Sequence, residues 1–374
     1  MMNLLVDLDE RFDERARTAA LERIERAGFT VTERRGAEDR VLAWIDDVFG
    51  GAWSSEAYVS STIVACKDGA PAGFAAYDPA ELRFAWLRGM ANEAGVSVFG
   101  PFGVDPAYRG GPLGAALLTI ALASMRARGA QRALIAAVGE RKLVEYYATH
   151  ANARAAERFD VAAFTPAPVR TVVLASGSGT NFQAVLDRVT DGALPLDLRA
   201  LVCNKPGAHA IVRAREGGVT NVHVLPWRRA EQTRAAYDAQ LLATVAGERP
   251  ELVLLLGWMH LLETSFVTAF PELINVHPAF LPLDSSRDVV GMPDGTEIPA
   301  FRGAFAVRDA LAAGSRWAGA TVHVVTPQTD RGPVLVRKPL RVEPGDDEAA
   351  VLARLHLIEH GLVARGIKRW LFER

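Results

Sequence analysis

The run Ile274-Asn275-Val276-His277-Pro278 sets an amide and an imidazole two residues apart, and Asp330-Arg331-Gly332-Pro333 adds a carboxylate further along the chain. Side chains alternate along a strand, so Asn275 and His277 at a strand end share one face. Together they can hydrogen-bond the oxyanion that forms when an amine attacks an acyl carbon. Asp330 can keep His277 protonated or accept a proton as the amine is acylated. These three groups suit the passage of a one-carbon acyl unit from one nitrogen to another, with no metal and no covalent protein intermediate. A single histidine at a strand end is more often just a hydrogen-bonded structural residue, so the reading leans on what surrounds it.

A second feature supplies that support. Thr171–Ala175 reads as a buried strand, and Ser176-Gly177-Ser178-Gly179-Thr180-Asn181 then opens a helix carrying Phe182, Val185 and Leu186. Such a turn leaves backbone N–H groups unpaired at the positive end of the helix dipole, where a phosphate is favoured. Gly179, Thr180 and Asn181 are the expected donors. Alone, a glycine-rich turn is usually only a tight connection; beside the trio it points to a phosphorylated substrate.

The elements that must hold these groups fall into two stretches. In the first, Arg11 to Ala27 is helical and Gly28 stops it. Strands follow at Phe29–Val31, Ser61–Ala65, Gly73–Ala76 and Val96–Val104, then a helix Leu113–Ala127, a strand Ala133–Val138, a short helix around Tyr146 and an apolar segment ending at Phe164. Thr165-Pro166-Ala167-Pro168 reads as a linker, because its prolines fix φ and remove donors. Beyond it, strand and helix alternate through Thr171–Ala175, Arg199–Cys203, Val222–Leu225, Leu252–Leu256 and Leu273–Val276. This predicts a mostly parallel sheet with helices on both faces and ligands at the carboxyl ends of its strands. Thr321–Thr326 and Val334–Val342 have no helix between them, so the sheet should end mixed. Asp284 to Pro299 reads as a long loop directly after the His277 motif, placed to act on substrate access.

The two domains expected are residues 1–165 and 169–374, both α/β. With 374 residues, 49% hydrophobic and 23% charged, the chain has ample core material. A net charge of −2 gives no global pull toward nucleic acid or acidic membranes. Cys66 and Cys203 match no zinc or disulfide spacing. Residues 1–10 lack the pattern of a signal peptide and no apolar run approaches the ~18 residues of a membrane span. The expectation is a cytoplasmic protein with small-molecule substrates, no metal, no nucleic acid and no membrane; a homodimer stays open.

Read together, SGSGTN at Ser176–Asn181, CNK at Cys203–Lys205, LLGWMHLL at Leu255–Leu262, INVHPAFLP at Ile274–Pro282, GATVH at Gly319–His323, DRGPV at Asp330–Val334 and IEH at Ile358–His360 resemble the phosphoribosylglycinamide formyltransferases. The resemblance covers the second domain and implies a Rossmann-like formyltransferase fold that uses 10-formyltetrahydrofolate. It implies Asn275, His277 and Asp330 as catalytic residues and Gly179, Thr180, Asn181 and Glu359 as the phosphate and ribose site. It also implies a folate site at Arg234, Leu255, Gly257, Trp258, Met259 and Leu262. Two departures leave the acceptor open: the connection after the His277 motif is lengthened by Asp284–Pro299, and Gly303-Ala304-Phe305-Ala306-Val307 lacks the two histidines of the family's Gly-X-His-X-His segment.

In the first domain, Val104 to Ala115 closes a strand and opens a helix. With Trp53-Ser54-Ser55-Glu56, Tyr146-Tyr147 and a final strand near Phe159, the stretch from Phe29 to Phe164 is similar to the GNAT acetyltransferases. That resemblance implies acetyl-CoA held by Val104, Arg109, Gly110, Gly111, Leu113, Gly114 and Ala115, with Tyr147 near the thiol. Pro112 replaces the family's central glycine and removes a donor. No carboxylate on Val96–Val104 offers itself as a general base, so a structural or dimerising module is the competing reading.

For the whole chain the leading expectation is formyl transfer to the primary amine of a phosphorylated acceptor, glycinamide ribonucleotide first. The alternatives are a sugar-nucleotide N-formyltransferase, a formyltetrahydrofolate hydrolase, an initiator-tRNA formylase and a non-enzymatic ligand sensor. The tRNA reading is opposed by the lack of a basic surplus, and the hydrolase leaves the phosphate turn without a purpose.

Overall fold

In the computed structural model, which describes residues 2–50, 52–80, 93–158 and 167–373, the chain divides into two units. One is Met1–Thr165 with Gly291–Thr296 and Phe372–Arg374; the other is Pro166–Val290 with Glu297–Leu371. Thr165 and Pro166 of the expected linker, and the expected final strand near Phe159 with its apolar end at Phe164, lie outside the described residues.

The first unit has strands β1 Met2–Asp7, β2 Phe29–Arg35, β3 Ser61–Lys67, β4 Ala70–Tyr77, β5 Val96–Val104, β6 Arg132–Val138 and β7 Arg154–Arg158. They form one sheet in the order β2-β3-β4-β5-β6-β1-β7, and only β5 and β6 run parallel. β1 was not anticipated, although Leu4 and Val6 alternate into the core as a half-buried strand requires. The expected first helix is Glu14–Arg26, started by the Asp13 carboxylate accepting from Ala16 N–H. Helices Asp39–Val48 and Trp53–Val59 are additions to the sequence reading. Helix Leu113–Ala127 is apolar nearly all round and buried through most of its length, packing with Tyr77, Phe99 and Ile135 in the core.

The second unit is built as its strand–helix alternation predicts. Its strands are β8 Val169–Ala175, β9 Leu196–Cys203, β10 Asn221–Val224, β11 Leu252–Leu255, β12 Leu273–His277, β13 Val289–Gly291, of which the last residue groups with the first unit, β14 Glu297–Pro299, β15 Trp317–Val324 and β16 Val334–Arg341. The main sheet runs β10-β9-β8-β11-β12-β15-β16. It is parallel from β10 to β12 and antiparallel at β15 and β16, so it ends mixed. The stretch expected as a plain loop instead contains the ribbon β13–β14. Asp294-Gly295, with Gly295 at φ +82°, is the turn signal that the loop reading passed over.

The helix Glu348–Glu373 buries Val351, Leu355, Leu362, Val363 and Ile367. Register then sets the site: Leu174, Leu255 and Asn275 stand in one row across β8, β11 and β12. The turn after β8 and the end of β12 are thus about 10 Å apart.

Candidate active site

Asn275 and His277 share the face of β12 as expected. Asn275 is the cross-strand partner of His323 on β15, and its amide Nδ2 lies 3.3 Å from His323 Nε2. His323 Nδ1 lies 2.9 Å from the Val324 carbonyl, which only accepts, so Nδ1 carries the proton. In the neutral ring Nε2 is then an acceptor for one Asn275 N–H, and the second is free for an incoming oxygen. Asp330 closes the group from the β15–β16 turn, with Oδ2 at 3.5 Å from His277 Nδ1 and Oδ1 at 3.5 Å from His323 Nε2. The structure therefore brings the trio together, with His323 as a fourth member linking Asn275 to Asp330. His323 stood in the GATVH motif, but only the pairing of β12 with β15 reveals where it points.

Electrostatics separate the roles. Burial pushes the His277 imidazole down toward its neutral form, and the Asp330 charge only partly opposes this. Its Nε2 lies 2.8 Å from the Phe301 carbonyl, so the neutral ring keeps its proton there and turns Nδ1 to Asp330. Burial would raise the Asp330 carboxyl, but the Gly303 N–H at 2.7 Å from Oδ2 and, in the acid range where both rings carry an extra proton, the adjoining His323 and His277 imidazoles outweigh it and hold it at about 2. Asp330 is an anion at neutral pH. Its own backbone is left-handed, at φ 52°. The segment that lacks the expected histidines thus serves through its backbone: Phe301 by a carbonyl and Gly303 by an N–H.

The turn after β8 is pinned from helix His209–Glu216, with Ala210 N–H donating to the Gly177 carbonyl and Arg213 Nε to the Ser178 carbonyl at 2.9 Å. Gly179 caps helix Thr180–Thr190 at φ 71°, and a Cβ there would lie 2.8 Å from that of Ala210. The Asn181 amide donates to Glu359 Oε2 at 2.8 Å, joining two residues predicted for one site. Asn181 Oδ1 has no partner, and burial pushes the Glu359 carboxyl up against the opposing Asn181 bond.

Residues 169–283 and 297–367 match the model of the formyl transferase family, and residues 18–152 match the acetyltransferase (GNAT) family. The chain is 34% identical over 203 residues to the phosphoribosylglycinamide formyltransferase of Mycobacterium tuberculosis, covering 54% of this chain and 84% of that one. The chain belongs to the formyl transferase family. This formyl transferase is also 30% identical over 201 residues to the trifunctional purine biosynthetic protein adenosine-3 of Drosophila melanogaster, of whose length it spans only 14%. Among solved structures, glycinamide ribonucleotide transformylase 1 of Symbiobacterium toebii is 33% identical with a TM-score of 0.47, covering 55% of this chain and 88% of that chain.

The residues predicted for folate divide in this formyl transferase. Leu255 and Trp258 are buried in one apolar cluster with Tyr237, and Leu262 packs against it. Gly257 makes the turn at φ 79°, and Met259 is 54% exposed, its backbone N–H donating to Ser176 Oγ. Arg234 donates to Asp238 at 2.7 Å and to the Leu261 carbonyl, and its guanidinium lies over the Trp227 ring at 5.1 Å. Sequence reasoning missed Trp227, Tyr237 and His260, whose rings meet edge to face or tilted at 5.6–6.2 Å. Trp227 Nε1, Trp258 Nε1, Tyr237 Oη and His260 Nδ1 are buried without partners, which a flat ligand with ring nitrogens and carbonyls would supply.

In the acetyltransferase domain, Val104 ends β5 and Arg109 Nε donates to its carbonyl at 3.0 Å. Gly110 is at φ 82° and, like Gly111, exposed; Leu113 is buried, and Gly114 and Ala115 follow in the first turn of the helix. Pro112 is the N-cap of that helix, one position before the helical turn expected for it. Tyr147 is buried edge-on to Phe99. Tyr146 is the tyrosine beside the turn: its hydroxyl has no partner, lies 3.0 Å from where a Gly114 Cβ would stand, and is pushed up to about 12 by burial.

Proposed function

We propose that the second unit transfers the formyl group of 10-formyltetrahydrofolate to the primary amine of a phosphorylated acceptor, glycinamide ribonucleotide. The observation that carries this is the convergence of Asn275, His323, Asp330 and His277 on β12 and its neighbours, each within 3.5 Å of the next, with the Gly179–Asn181 turn and Glu359 two strands away. A separation of about 10 Å suits an acceptor with phosphate at one end and amine at the other.

The amine nitrogen bonds to the formyl carbon, the bond from that carbon to the folate nitrogen breaks, and the proton lost by the amine ends on the folate nitrogen. Asn275, through its second N–H, stabilises the oxyanion. His277 takes the proton that the amine loses and passes it to the folate nitrogen, and the ionised Asp330 holds the imidazolium formed in between. Trp227, Tyr237, Trp258 and His260 supply the wall for the pterin, and Arg234 faces the acidic tail. Neither the hydrolase nor the sugar-nucleotide reading has an observation of its own here. The acetyltransferase domain takes acyl-CoA, its pyrophosphate on the N–H groups of the Arg109–Ala115 turn.

The test is to incubate the protein with 10-formyltetrahydrofolate and a panel of phosphorylated amines and follow folate release by absorbance. Turnover should require the amine and be fastest with glycinamide ribonucleotide. Turnover of equal rate without any amine would overturn the assignment.

A further inference from the structure

Between Pro282 and Phe301 the second unit carries a carboxylate that the catalytic set does not touch directly, yet two guanidinium groups converge on it. Arg302 Nη1 donates to Asp288 Oδ1 at 2.8 Å, and Arg331 Nη2 reaches the same oxygen at 2.5 Å. The arginines are also fixed by backbone. Arg302 Nη2 donates to the Arg287 carbonyl at 2.8 Å and Nε to the Asp330 carbonyl at 3.1 Å, while Arg331 Nη1 donates to the Ser285 carbonyl at 2.8 Å. Other charges nearby are engaged elsewhere: Glu297 pairs with Arg287, and Asp284 accepts from Ser286.

The positions of the two arginines in the chain give this arrangement its meaning. Arg302 lies between Phe301, whose carbonyl accepts from His277, and Gly303, whose N–H donates to Asp330. Arg331 directly follows Asp330, whose backbone is held left-handed. Two cations repel at this range unless an anion stands between them, and charge-assisted hydrogen bonds to a carboxylate are the strong kind. Without that anion the two guanidinium groups, one on each segment, repel across the gap, and only the Arg302 Nε bond to the Asp330 carbonyl and the Gly303 N–H bond to Asp330 Oδ2 still join the Phe301–Gly303 segment to the Asp330 turn.

We infer that Asp288 is a positioning residue for formyl transfer, clamping the Phe301–Gly303 backbone and the Asp330 turn at the spacing that the His277–Asp330 pair requires. This rests on the proposed function, and it gives the segment after the His277 motif a part in the chemistry itself. Misplacement of a reacting group by about 1 Å lowers turnover by as much as ~10²-fold.

The experiment compares Asp288→Ala, Asp288→Glu and, as a control in the same segment, Asp284→Ala in the full-length protein. Asp288→Ala should lower kcat for glycinamide ribonucleotide formylation by about 10- to 100-fold with both KM values within about threefold of wild type. Asp288→Glu should recover most of that loss, and Asp284→Ala should match wild type. A kcat for Asp288→Ala within about twofold of wild type, or an effect confined to KM, overturns the inference. A second readout needs no turnover: histidine Cε1–H titration by NMR should show the His277 curve displaced in Asp288→Ala and unchanged in Asp284→Ala. An unmoved curve overturns the clamp even if kcat falls. If Asp288→Ala does not fold, Asp288→Asn takes its place in both measurements. Should wild type formylate no amine, the proposed function fails, and the titration still decides the clamp.

Discussion

At the scale of single residues, the amide, imidazole and carboxylate could be picked out in the chain because their types are chemically distinctive and their neighbours small or rigid. What linear spacing could not give was His323, whose place is set by cross-strand pairing with Asn275, and that the Tyr146 hydroxyl lies beside the Gly114 turn, which depends on which face of a short helix meets it. Asn275→Ala and His277→Ala should each lower kcat by ~10²–10⁴-fold with little change in melting temperature; steady-state kinetics with wild-type rates would remove them from the mechanism. Asp330 carries a pH signature as well. Its carboxyl falls from 3.8 unfolded to about 2 folded, a contribution of roughly 2 kcal/mol that is fully present above about pH 4 and lost as pH falls through about 2. Urea unfolding of Asp330→Asn between pH 5 and pH 2 should lack that part of the slope. Glu359 has the opposite sign, because burial raises it above 4.5: its stabilisation is present below that value and fades as pH rises through the folded one. Glu359→Gln should therefore gain on wild type in stability between pH 4 and pH 7.5, while its KM for the acceptor rises. Parallel stability curves would contradict the buried carboxyl.

At the scale of elements, the alternation of apolar strands with amphipathic helices in the second unit was legible because a parallel sheet buries its strands on both faces and marks them with valine and leucine runs. The first unit is less legible in its sequence. β1 is short and carries polar residues among its apolar ones, and helices Asp39–Val48 and Trp53–Val59 bury their apolar faces in tertiary contacts that local propensity does not announce. Two glycines show how tightly the turns are made. A Cβ on Gly332 would lie 1.7 Å from the Val324 carbonyl oxygen, so Gly332→Ala should move the Asp330 turn and abolish turnover. Gly179→Ala meets a left-handed backbone and the neighbouring Ala210, a penalty of at least ~1 kcal/mol. It should raise KM for the phosphorylated acceptor well above that for the folate; equal effects on both would argue against a phosphate at this turn.

At the scale of the whole molecule, the change from a mixed strand pattern to regular strand–helix alternation near residue 168 was enough to read two folds, whereas the separate grouping of Gly291–Thr296 with the first unit had no sequence signal. No helix among the described residues is long and apolar enough to cross a membrane. If the first unit takes acyl-CoA, acetyl-CoA at 100 times its Kd should stabilise the full-length protein by about 2.7 kcal/mol. Gly111→Asp, whose Cβ would meet the Tyr108 carbonyl oxygen at an ordinary 3.6 Å on the exposed turn, should cancel that thermal shift and leave formylation intact. No shift in wild type would reduce this domain to a scaffold. A different consequence follows from the bond between Asn181 and Glu359, which joins the first helix of the second unit to its last. On the ribosome, Asn181 must wait for helix Glu348–Glu373 to emerge before its amide can reach Glu359, after Asn275 and Asp330 have both been made. A nascent chain at that stage already holds Asn275, His277 and Asp330 but not yet the bond that joins Asn181 to Glu359.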